Sequence, residues 1–408
     1  MLFASKVEGD IVYVKDTEDN TEEKVSKSVA MKTEGILGVS REGVKAVTNE
    51  ELIGLSMAEL RITNIGCPLK IEGTEIKECL NKNVTKIIVP YGVTSIGEEA
   101  FAMCKKLQNI EMPITVTSIG KCAFLNCDSL ESIEIPDSVV SIGNGAFTWC
   151  EHLHNINIPN SVTSIGALAF WACHSLQIIE IPDGVSTIGG NTFKSCNNLQ
   201  SVKIPNSVKS IGEHAFNGCE SLQNIEIPNS VISIGVSAFA GCNSFKSIEI
   251  PNSVESIGEG AFSNCKGLES IDIPDSVTSI GVVAFQGCSS LKRIKIPNNT
   301  TSIEYGTFLE CTGLQSIEIS DSITEIGHAA FEDCTCLQSL KIPNSVASIG
   351  NLAFNSCKGL HHIEIPSSVK SIGDSVFKDC KSLQSIKCEK GSYAEQYAKE
   401  NGLPIEYI

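Results

Sequence analysis

Hydrophobic residues recur in one fixed pattern through most of this chain. From residue 84 to residue 388 they follow the unit L-x-x-I-x-I-P-x-S-V-x-S-I-G-x-x-A-F-x-x-C-x-x, repeated thirteen times without an insertion. The step from one unit to the next is always 23 residues. It is marked by Phe101, Phe124, Phe147, Phe170, Phe193, Phe216, Phe239, Phe262, Phe285, Phe308, Phe331, Phe354 and Phe377. A cysteine follows each of these phenylalanines at the third position after it. A unit this short cannot bury its own apolar side chains, so the pattern predicts a solenoid of stacked repeats.

Each unit contains the signature of one β-strand and two corners. In the copy that begins at Leu130, the alternation of L-x-x-I-x-I predicts a strand with Ile133 on one face and Glu134 on the other. Pro136 ends the strand, because proline cannot donate a hydrogen bond to a sheet. The fixed Gly143 predicts either a positive φ or a close approach of two backbones at a corner. The stretch A-F-x-x-C then returns as a helical turn or as coil.

Stacking the units produces one parallel sheet with a spacing of about 4.8 Å per repeat, so the thirteen repeats extend roughly 60 Å. The recurring Leu, Ile, Val, Ala, Phe and Cys positions become continuous columns of buried side chains. The free energy of folding is then a sum of nearly identical interfaces between neighbouring repeats.

The motif L-x-x-I-x-I-P-x-x-V-x-x-I-G-x-x-A-F-x-x-C closely resembles the BspA-type leucine-rich repeat, over residues 84–388. The resemblance implies a curved leucine-rich-repeat solenoid, capped at both ends. Its parallel β-sheet is expected on the concave face, with short helical turns or coil on the return side. Similar proteins are surface or secreted products of bacteria and some protists. The resemblance therefore implies an adhesin-like cell-surface protein that binds a protein or glycan ligand on a host or neighbouring cell.

Residues 1–83 do not repeat, and we interpret them as an N-terminal region and cap. A separate functional domain in residues 1–80 is the alternative. A strand is predicted near Gly9–Asp16, and a capping box from Thr48 to Glu51 predicts a helix to about residue 60. Residues 62–83 are expected to form a degenerate first coil.

Residues 389–408 are interpreted as a C-terminal capping helix and tail. Ser392 is the expected N-cap and Glu395 its reciprocal partner in a capping box, while Gly402 is expected to stop the helix. A polar helix at this place would cover the last repeat, which a solenoid requires for solubility.

The charge of the chain restricts its partners. A formal net charge of −17 disfavours nucleic acid, whose phosphates require clustered Lys and Arg, and favours basic partners. No apolar run approaches the roughly 18 residues of a membrane span. The N-terminus shows no basic segment followed by an apolar one, so no export signal is predicted. Location at the cell surface, as the resemblance implies, and location in the cytoplasm both stay open.

The cysteines and histidines offer little chemistry. Stacked cysteines are about 4.8 Å apart and parallel, whereas the Cβ atoms of a disulfide are nearer ~3.8 Å apart, so we expect buried free thiols. The pairs His152/His154 and His361/His362 are nine repeats apart and cannot form one metal site. Cys150 next to His152 belongs to the buried column. Motifs of hydrolases, phosphate-binding loops and zinc proteases are absent, and we predict no enzyme, cofactor or metal.

One candidate site is an acidic stripe on the expected concave face. The residue between the two strand isoleucines is acidic in eight of thirteen repeats. Among these residues, Glu226, Glu249 and Asp272 are consecutive, and they define the acidic stripe. A solvated sheet face is the alternative interpretation. The stripe also supports a second function, an intracellular scaffold or inhibitor that uses the acidic concave face.

The other candidate site is an aromatic edge at the two positions after the repeated phenylalanine. Most repeats place polar residues or glycine there, but the early repeats place Met103, Leu125, Trp149 and Trp171, with His152 and His174 just beyond. These six residues define the aromatic edge. Exposed aromatic rings with an apolar rim are typical of binding hot spots, and paired Trp rings also suit sugar rings. The alternative is that residues 1–80 cover this edge.

One repeat departs from the pattern. Glu304 replaces the repeated glycine, Thr300 replaces the valine, and Ser320 replaces the next proline. We expect a distorted corner at residues 298–320, since a residue other than glycine at a positive φ costs about 1 kcal/mol or more.

Overall fold

The structure, a computed structural model, describes residues 69–90 and 92–408 in full. It also describes the backbone of residues 2–8, 11–16, 22–26, 36–37, 39–40 and 43–44. The chain divides into two compact units, Met1–Ser175 and Leu176–Ile408. The same repeat architecture is found in both.

The N-terminal residues contribute six short strands: β1 (Leu2–Glu8), β2 (Ile11–Asp16), β3 (Glu22–Ser26), β4 (Ile36–Leu37), β5 (Val39–Ser40) and β6 (Gly43–Val44). They form a sheet in the order β3-β2-β1-β4 and a separate β5-β6 pair. The predicted strand near Gly9–Asp16 is thereby confirmed as β2. The predicted helix from Thr48 to about residue 60 lies outside the described residues.

A hairpin precedes the first repeat. β7 (Leu69–Glu72) pairs antiparallel with β8 (Glu75–Cys79), and Gly73 at φ +63° makes the turn. β8 also pairs in parallel with the first short strand of the repeats, where Ile76 is opposite Ile96. The expected degenerate coil is thus a hairpin in residues 69–79, and its second strand begins the stacking.

The predicted strand of each repeat is present. These strands, the odd-numbered ones from β9 to β35, are Lys86–Ile88, Asn109–Glu111, Ser132–Glu134, Asn155–Asn157, Ile178–Glu180, Ser201–Lys203, Asn224–Ile225, Ser247–Glu249, Ser270–Asp272, Arg293–Lys295, Ser316–Glu318, Ser339–Lys341, His362–Glu364 and Ser385–Cys388. Neighbours within one sheet pair in parallel and in register, as Ile133 does with Ile156, and the ladder is divided into several short sheets. Ile133 is buried, whereas Ser132 and Glu134 are exposed and belong to what we call the strand face.

A second ladder of strands was not expected from the sequence. These two-residue strands, the even-numbered ones from β10 to β34, are Ser95–Ile96, Ser118–Ile119, Ser141–Ile142, Ser164–Ile165, Thr187–Ile188, Ser210–Ile211, Ser233–Ile234, Ser256–Ile257, Ser279–Ile280, Ser302–Ile303, Glu325–Ile326, Ser348–Ile349 and Ser371–Ile372. They also pair in parallel, as Ile119 does with Ile142. Two residues are too few to show the alternation by which a strand is recognised in a sequence.

The return side is held by backbone hydrogen bonds between repeats. Alternate N–H groups donate to the next repeat: Phe124 to Ala146 at 2.8 Å, and Asn126 to Thr148 at 2.8 Å. Two residues per repeat adopt a left-handed conformation there, the second residue after the glycine position and the second after the phenylalanine. The return side is therefore a third ladder made of turns, and the positive φ values lie in it.

The repeated glycine acts by close approach and not by a positive φ. Gly143 has no positive φ, but a Cβ atom on it would lie 2.6 Å from the carbonyl carbon of Gly120 and 2.6 Å from the nitrogen of Lys121. Its N–H donates to the carbonyl of Ile119 at 2.8 Å. The sequence predicted either a positive φ or a close approach of two backbones, and the prediction of a positive φ is wrong. Glycine is required because any side chain would collide with the previous repeat.

The irregularity of the repeat at Glu304 follows from the loss of this glycine. The glycine N–H donates to an isoleucine carbonyl of the previous repeat from Gly212 to Gly281 and again from Gly327 to Gly373. Within residues 176–408, Glu304 makes no such bond, and the second ladder divides there into a five-stranded and a four-stranded sheet. Glu304 does not have a positive φ, which Gly306 takes at +57°. The prediction of a strained backbone at position 304 is therefore wrong. The second ladder of strands is interrupted there instead.

Stacked phenylalanines form the centre of the core. The rings of Phe101 and Phe124 are parallel within 5°, with centroids 5.3 Å apart, and the described pairs after them repeat this geometry. Both rings are fully buried. Burial of one phenylalanine contributes about 1.5–3 kcal/mol, so this column is a main source of the stability of every interface.

The repeated cysteines are free thiols inside this core. The Sγ of Cys127 donates to the carbonyl of Phe101 at 3.2 Å, and that of Cys150 donates to Phe124 at 3.2 Å. Burial raises the pKa of the Cys127 thiol to about 12. The neutral thiol is therefore the form present at physiological pH, and it is a poor nucleophile.

A helix and a strand close the last repeat. Helix α1 (Tyr393–Glu400) has the predicted N-cap, Ser392, which accepts a hydrogen bond from the N–H of Glu395. The Glu395 carboxylate accepts from Gly391, not from Ser392, and also from Lys399 and Tyr407. The hydrogen bond from Lys399 is the main cause that lowers the pKa of Glu395 to about 2. A final strand, β36 (Ile405–Tyr407), pairs in parallel with β35.

We expect the repeated thiols to react only when the protein unfolds. Cys336 is exposed and Cys122 half-buried, whereas the repeated cysteines from Cys127 to Cys357 are buried. Thiol titration with and without denaturant measures both classes, and Cys336→Ser should remove a fast-reacting thiol. Rapid labelling of most repeated cysteines in the native protein would contradict the buried column.

We expect a methyl group at a repeated glycine position to destabilise the protein only where the second ladder is intact. We expect Gly258→Ala to lower the free energy of unfolding by about 1–3 kcal/mol, because its Cβ would lie 2.7 Å from the backbone of Gly235. Glu304→Ala, the matched control, should change it by less than about 0.5 kcal/mol. Urea denaturation measures both, and equal effects at the two positions would refute this role of glycine.

Candidate functional site

The return-side ladder positions the aromatic edge. The N–H of Met103 donates to the carbonyl of Leu125 at 2.7 Å, and the N–H of Trp149 donates to that of Trp171 at 2.8 Å. Because these bonds join neighbouring repeats, they place each side chain beside the next. All six residues of the edge belong to the unit Met1–Ser175.

The tryptophans form a compact aromatic cluster with an open side. The rings of Trp149 and Trp171 meet edge to face, with centroids 5.8 Å apart and planes at 69°. His174 packs edge-on against Trp149 with centroids 6.5 Å apart. Trp149 keeps 40% of its surface exposed and Met103 keeps 53%, while Trp171 and Leu125 are half-buried. The cluster is therefore fixed by its neighbours and still accessible.

His152 is held away from this cluster. Its Nδ1 lies 2.7 Å from the carbonyl oxygen of Asp128. Because a carbonyl only accepts hydrogen bonds, Nδ1 carries the proton and donates it. The ring is exposed, and its Nε2 is left for a ligand or for solvent. The structure thus joins His174 to the tryptophans and places His152 at the margin of the edge.

Trp149 has a left-handed backbone, with φ at +61°, as does the residue at this position in every described repeat. A left-handed conformation costs a residue other than glycine roughly 1–2 kcal/mol. Later repeats hold glycine or asparagine at this position, as Gly218 and Asn264, but also Ser195 and Glu310. The left-handed backbone is therefore a property of the repeat, and the case for Trp149 rests on its side chain.

The alternative for the aromatic edge is coverage by residues 1–80. Of these, residues 1–68 include the segments that lie outside the described residues, and no side chain of theirs is described. Coverage of the edge therefore stays an open alternative, separated from a binding role by the variants proposed below.

The acidic stripe lies on the strand face, with Glu226 just after a strand, Asn224–Ile225, that is not paired with the strand of Glu249. Glu249 is directly opposite Asp272 in the parallel ladder, and both side chains are exposed, as is that of Glu226. Among the described residues none of the three has an ion-pair partner. Three of the five other acids in the same column have an ion pair: Glu111 with Lys86 at 2.6 Å, Glu180 with Lys203 at 3.2 Å and Glu364 with Lys341 at 2.8 Å. Unpaired like charges side by side are slightly unfavourable.

Two open grooves accompany the stripe. The larger, of about 650 Å³, is lined by Glu249, Asp272, Pro251 and Asn252, together with the strand residues between them. The smaller, of about 290 Å³, is lined by Glu226, Glu249, Pro251 and Asn229. Neither asparagine was predicted from the sequence. Their signal is the variable position after the repeated proline, which faces the same groove as the acids.

The described residues offer no metal centre, and Cys150 and His152 do not form a nucleophilic pair. No group of three His, Cys, Asp or Glu side chains in this part of the chain could hold a metal ion. The Cys150 thiol is fully buried, and burial raises its pKa well above the ordinary value. It is bonded to Phe124, whereas His152 is bonded to Asp128, so the two do not form a reactive pair. The described helix, α1, is also too short and too polar to cross a bilayer.

Comparisons with known proteins agree with this architecture. The chain is similar to a leucine-rich repeat protein from Bacteroides ovatus, with 33% identity, a TM-score of 0.74 and coverage of 84% of this chain and 90% of that one. It is also similar to a leucine-rich cell surface protein from Faecalibacterium prausnitzii, with 32% identity, a TM-score of 0.53 and coverage of 81% and 94%. The pneumococcal vaccine antigen PcpA, at 19% identity, a TM-score of 0.51 and 79% of each chain, shares the fold. No curated relative matches the chain.

The repeats also match a family model over nearly the whole described solenoid. The model of the BspA type leucine-rich repeat region, in six copies, matches residues 75–200, 186–315 and 301–408. Its span agrees with the repeats seen in the structure. This chain therefore belongs to the BspA-type leucine-rich-repeat family.

Proposed function

We propose that this protein is a non-catalytic, adhesin-like cell-surface protein that binds a protein or glycan partner through the aromatic edge. The observation that carries this proposal is the cluster of Trp149, Trp171 and His174, which is ordered and yet exposed. The 32% identical relative from Faecalibacterium prausnitzii is described as a cell surface protein, which supports the proposed location.

The physics of the cluster suits a binding hot spot. Tryptophan contributes a large apolar area with few rotatable bonds, and here each ring is already held by a neighbour. The ligand would therefore meet a preorganised surface, and little side-chain entropy would be lost on binding. The open face of Trp149 suits the apolar face of a sugar ring or an apolar side chain of a protein.

Other features restrict the partner. The net charge of −17 argues against nucleic acid and for a neutral or basic ligand. Molecules on the surface of a host or neighbouring cell are the class that this proposal names. Fractionation of the native cells tests the location directly: the protein should be recovered with the cell surface, and recovery in the cytoplasmic fraction would contradict an adhesin role.

The acidic stripe supports a second candidate function, an intracellular scaffold or inhibitor of a basic protein. The specific observation is the coincidence of unpaired Glu249 and Asp272 with a groove of about 650 Å³. A basic segment in this groove would relieve the repulsion between the two carboxylates. This candidate uses the strand face, whereas the main proposal uses the return side.

Removal of both tryptophans should abolish binding and leave the fold intact. Serine already occurs at the position of Trp149, as Ser195, and at that of Trp171, as Ser263. We expect Trp149→Ser with Trp171→Ser to weaken binding by about 30-fold or more, the loss of a hot spot worth about 2 kcal/mol. The change in unfolding free energy should stay within about 0.5 kcal/mol. Pull-down from host and sibling-cell surface extracts, with thermal denaturation, measures both.

Leu309→Ser is the matched control for this variant. Leu309 is half-buried and occupies the position of Trp171 in a later repeat, so its replacement should leave binding unchanged. A double Trp variant with reduced stability would indicate coverage by the N-terminal residues. A variant normal in both stability and binding would eliminate the aromatic edge as a site and its coverage as well.

Charge reversal should separate the second candidate from a solvated surface. If a basic protein occupies the stripe, Glu249→Lys with Asp272→Lys should weaken its binding at least about tenfold at low salt and flatten the salt dependence. Glu134→Lys with Glu318→Lys changes the net charge equally at exposed positions of the same column and is the control. Calorimetric titration with the captured partner at two salt concentrations measures this. If the two variants have equal effects on binding and on its salt dependence, the stripe is a solvated surface and not a binding site.

A further inference from the structure

The hairpin before the first repeat carries a second thiol that does not belong to the cysteine column. One regular step before Cys104 the chain holds Asn81, and Cys79 lies two positions earlier, at the end of β8. Both cysteines are fully buried and free. The argument against disulfides between stacked cysteines rests on the regular step of the column, so it does not apply to this pair.

The first thiol of the column is bonded differently from those that follow. The Sγ of Cys127 donates to the carbonyl of Phe101, and the Sγ of Cys150 makes the equivalent bond to Phe124. The residue that corresponds to these acceptors for Cys104 is Glu78, in the hairpin. Among the described residues Cys104 makes no such bond to Glu78; its thiol donates to the sulfur of Cys79, whose own Sγ donates to the carbonyl of Asn81 at 3.3 Å.

The backbone holds Cys79 in this place. Its N–H donates to the carbonyl of Ala100 at 2.6 Å, and β8 is paired in parallel with the first short strand of the repeats. The hairpin is thereby attached to the first repeat both at Cys79 and along the strand that leads to it. The contact between the two sulfur atoms follows from this attachment and not from a freely rotating loop.

The two thiols also differ in acidity, which the rest of the column does not show. The hydrogen bond with Cys104 lowers the pKa of Cys79 below its ordinary value. The same hydrogen bond, together with burial, raises the pKa of Cys104 well above its ordinary value. Cys79 is thus the thiol that ionises first, and an ionised thiol is the nucleophile in disulfide exchange.

We propose that Cys79 and Cys104 form a disulfide in an oxidising environment and so fasten the hairpin to the first repeat. The oxidant is a low-molecular-weight disulfide such as oxidised glutathione. The Cys79 thiolate attacks one of its sulfur atoms and releases one thiol. Cys104, losing its proton, then attacks the Cys79 sulfur of the mixed disulfide and releases the second thiol. The protein loses two protons and two electrons, and the oxidant is reduced to two thiols.

The bond would stabilise the first end of the solenoid. Neighbouring repeats support each other on both sides, but an end repeat has one neighbour, so it opens first. Closing the loop from Cys79 to Cys104 removes conformational freedom from the unfolded chain. The remaining column thiols stay reduced in the same conditions, because the regular spacing of about 4.8 Å keeps their Cβ atoms farther apart than a disulfide requires. This proposal does not depend on the proposed binding function.

The full chain refolded from urea in a glutathione redox buffer tests the proposal, because refolding removes any limit from burial. After alkylation of free thiols, peptide mass spectrometry should find Cys79 linked to Cys104. The oxidised protein should melt several degrees above the reduced one, and Cys79→Ser should abolish both the link and the shift. Cys122→Ser, which alters a half-buried thiol in the next repeat, should preserve both.

Three results would overturn the proposal. They are the absence of a linked peptide after refolding, a link from Cys79 to another cysteine, and an oxidation-dependent shift that persists in Cys79→Ser. If Cys79→Ser fails to fold, the mass spectrum of the wild-type protein alone decides, because it identifies the linked pair without a variant.

Discussion

The close approach of successive backbones at the repeated glycine is the constraint on which this structure depends. At Gly143 the previous repeat leaves no room for a Cβ atom, and the glycine N–H donates to that repeat at 2.8 Å. The spacing set there allows the phenylalanine rings to stack at 5.3 Å and the return-side N–H groups to find acceptors. Glu304 shows the reverse: where the glycine is lost, the second ladder is interrupted.

Because buried columns and backbone ladders supply the stability, the exposed positions are free to vary. The candidate sites use this freedom on opposite sides of the repeat. Trp149 occupies a left-handed return-side position that later repeats fill with smaller or polar residues such as Gly218, Ser195 and Asp333. Glu249 and Asp272 occupy a strand-face position where three other acids are paired with lysine. At both places the local contribution to the free energy of folding is slightly unfavourable, and the packing of the core offsets it.

The sequence predicted the features that depend on strict periodicity. The repeat length, the buried face of the strand with Ile133, the phenylalanine column and the N-cap Ser392 all follow from spacing and residue type, and the structure has them. Spacing also predicted that Trp149 and Trp171 are neighbours, but not that their rings meet at 69°. The glycine was assigned two alternative roles because a sequence does not distinguish a special φ from a steric contact. Asn252 was missed because a groove depends on the shape of two neighbouring repeats.

Amide hydrogen exchange of the free protein tests most directly the claim that backbone ladders between neighbouring repeats hold the molecule. Protection should recur once in every repeat at the same two places, the repeated glycine and the phenylalanine of the return side, whose N–H groups donate to adjacent repeats. It should weaken at residues 301–304, where the ladder is interrupted. Return-side amides that exchange as fast as unprotected loops, or protection that does not follow the period of the repeat, would contradict the account.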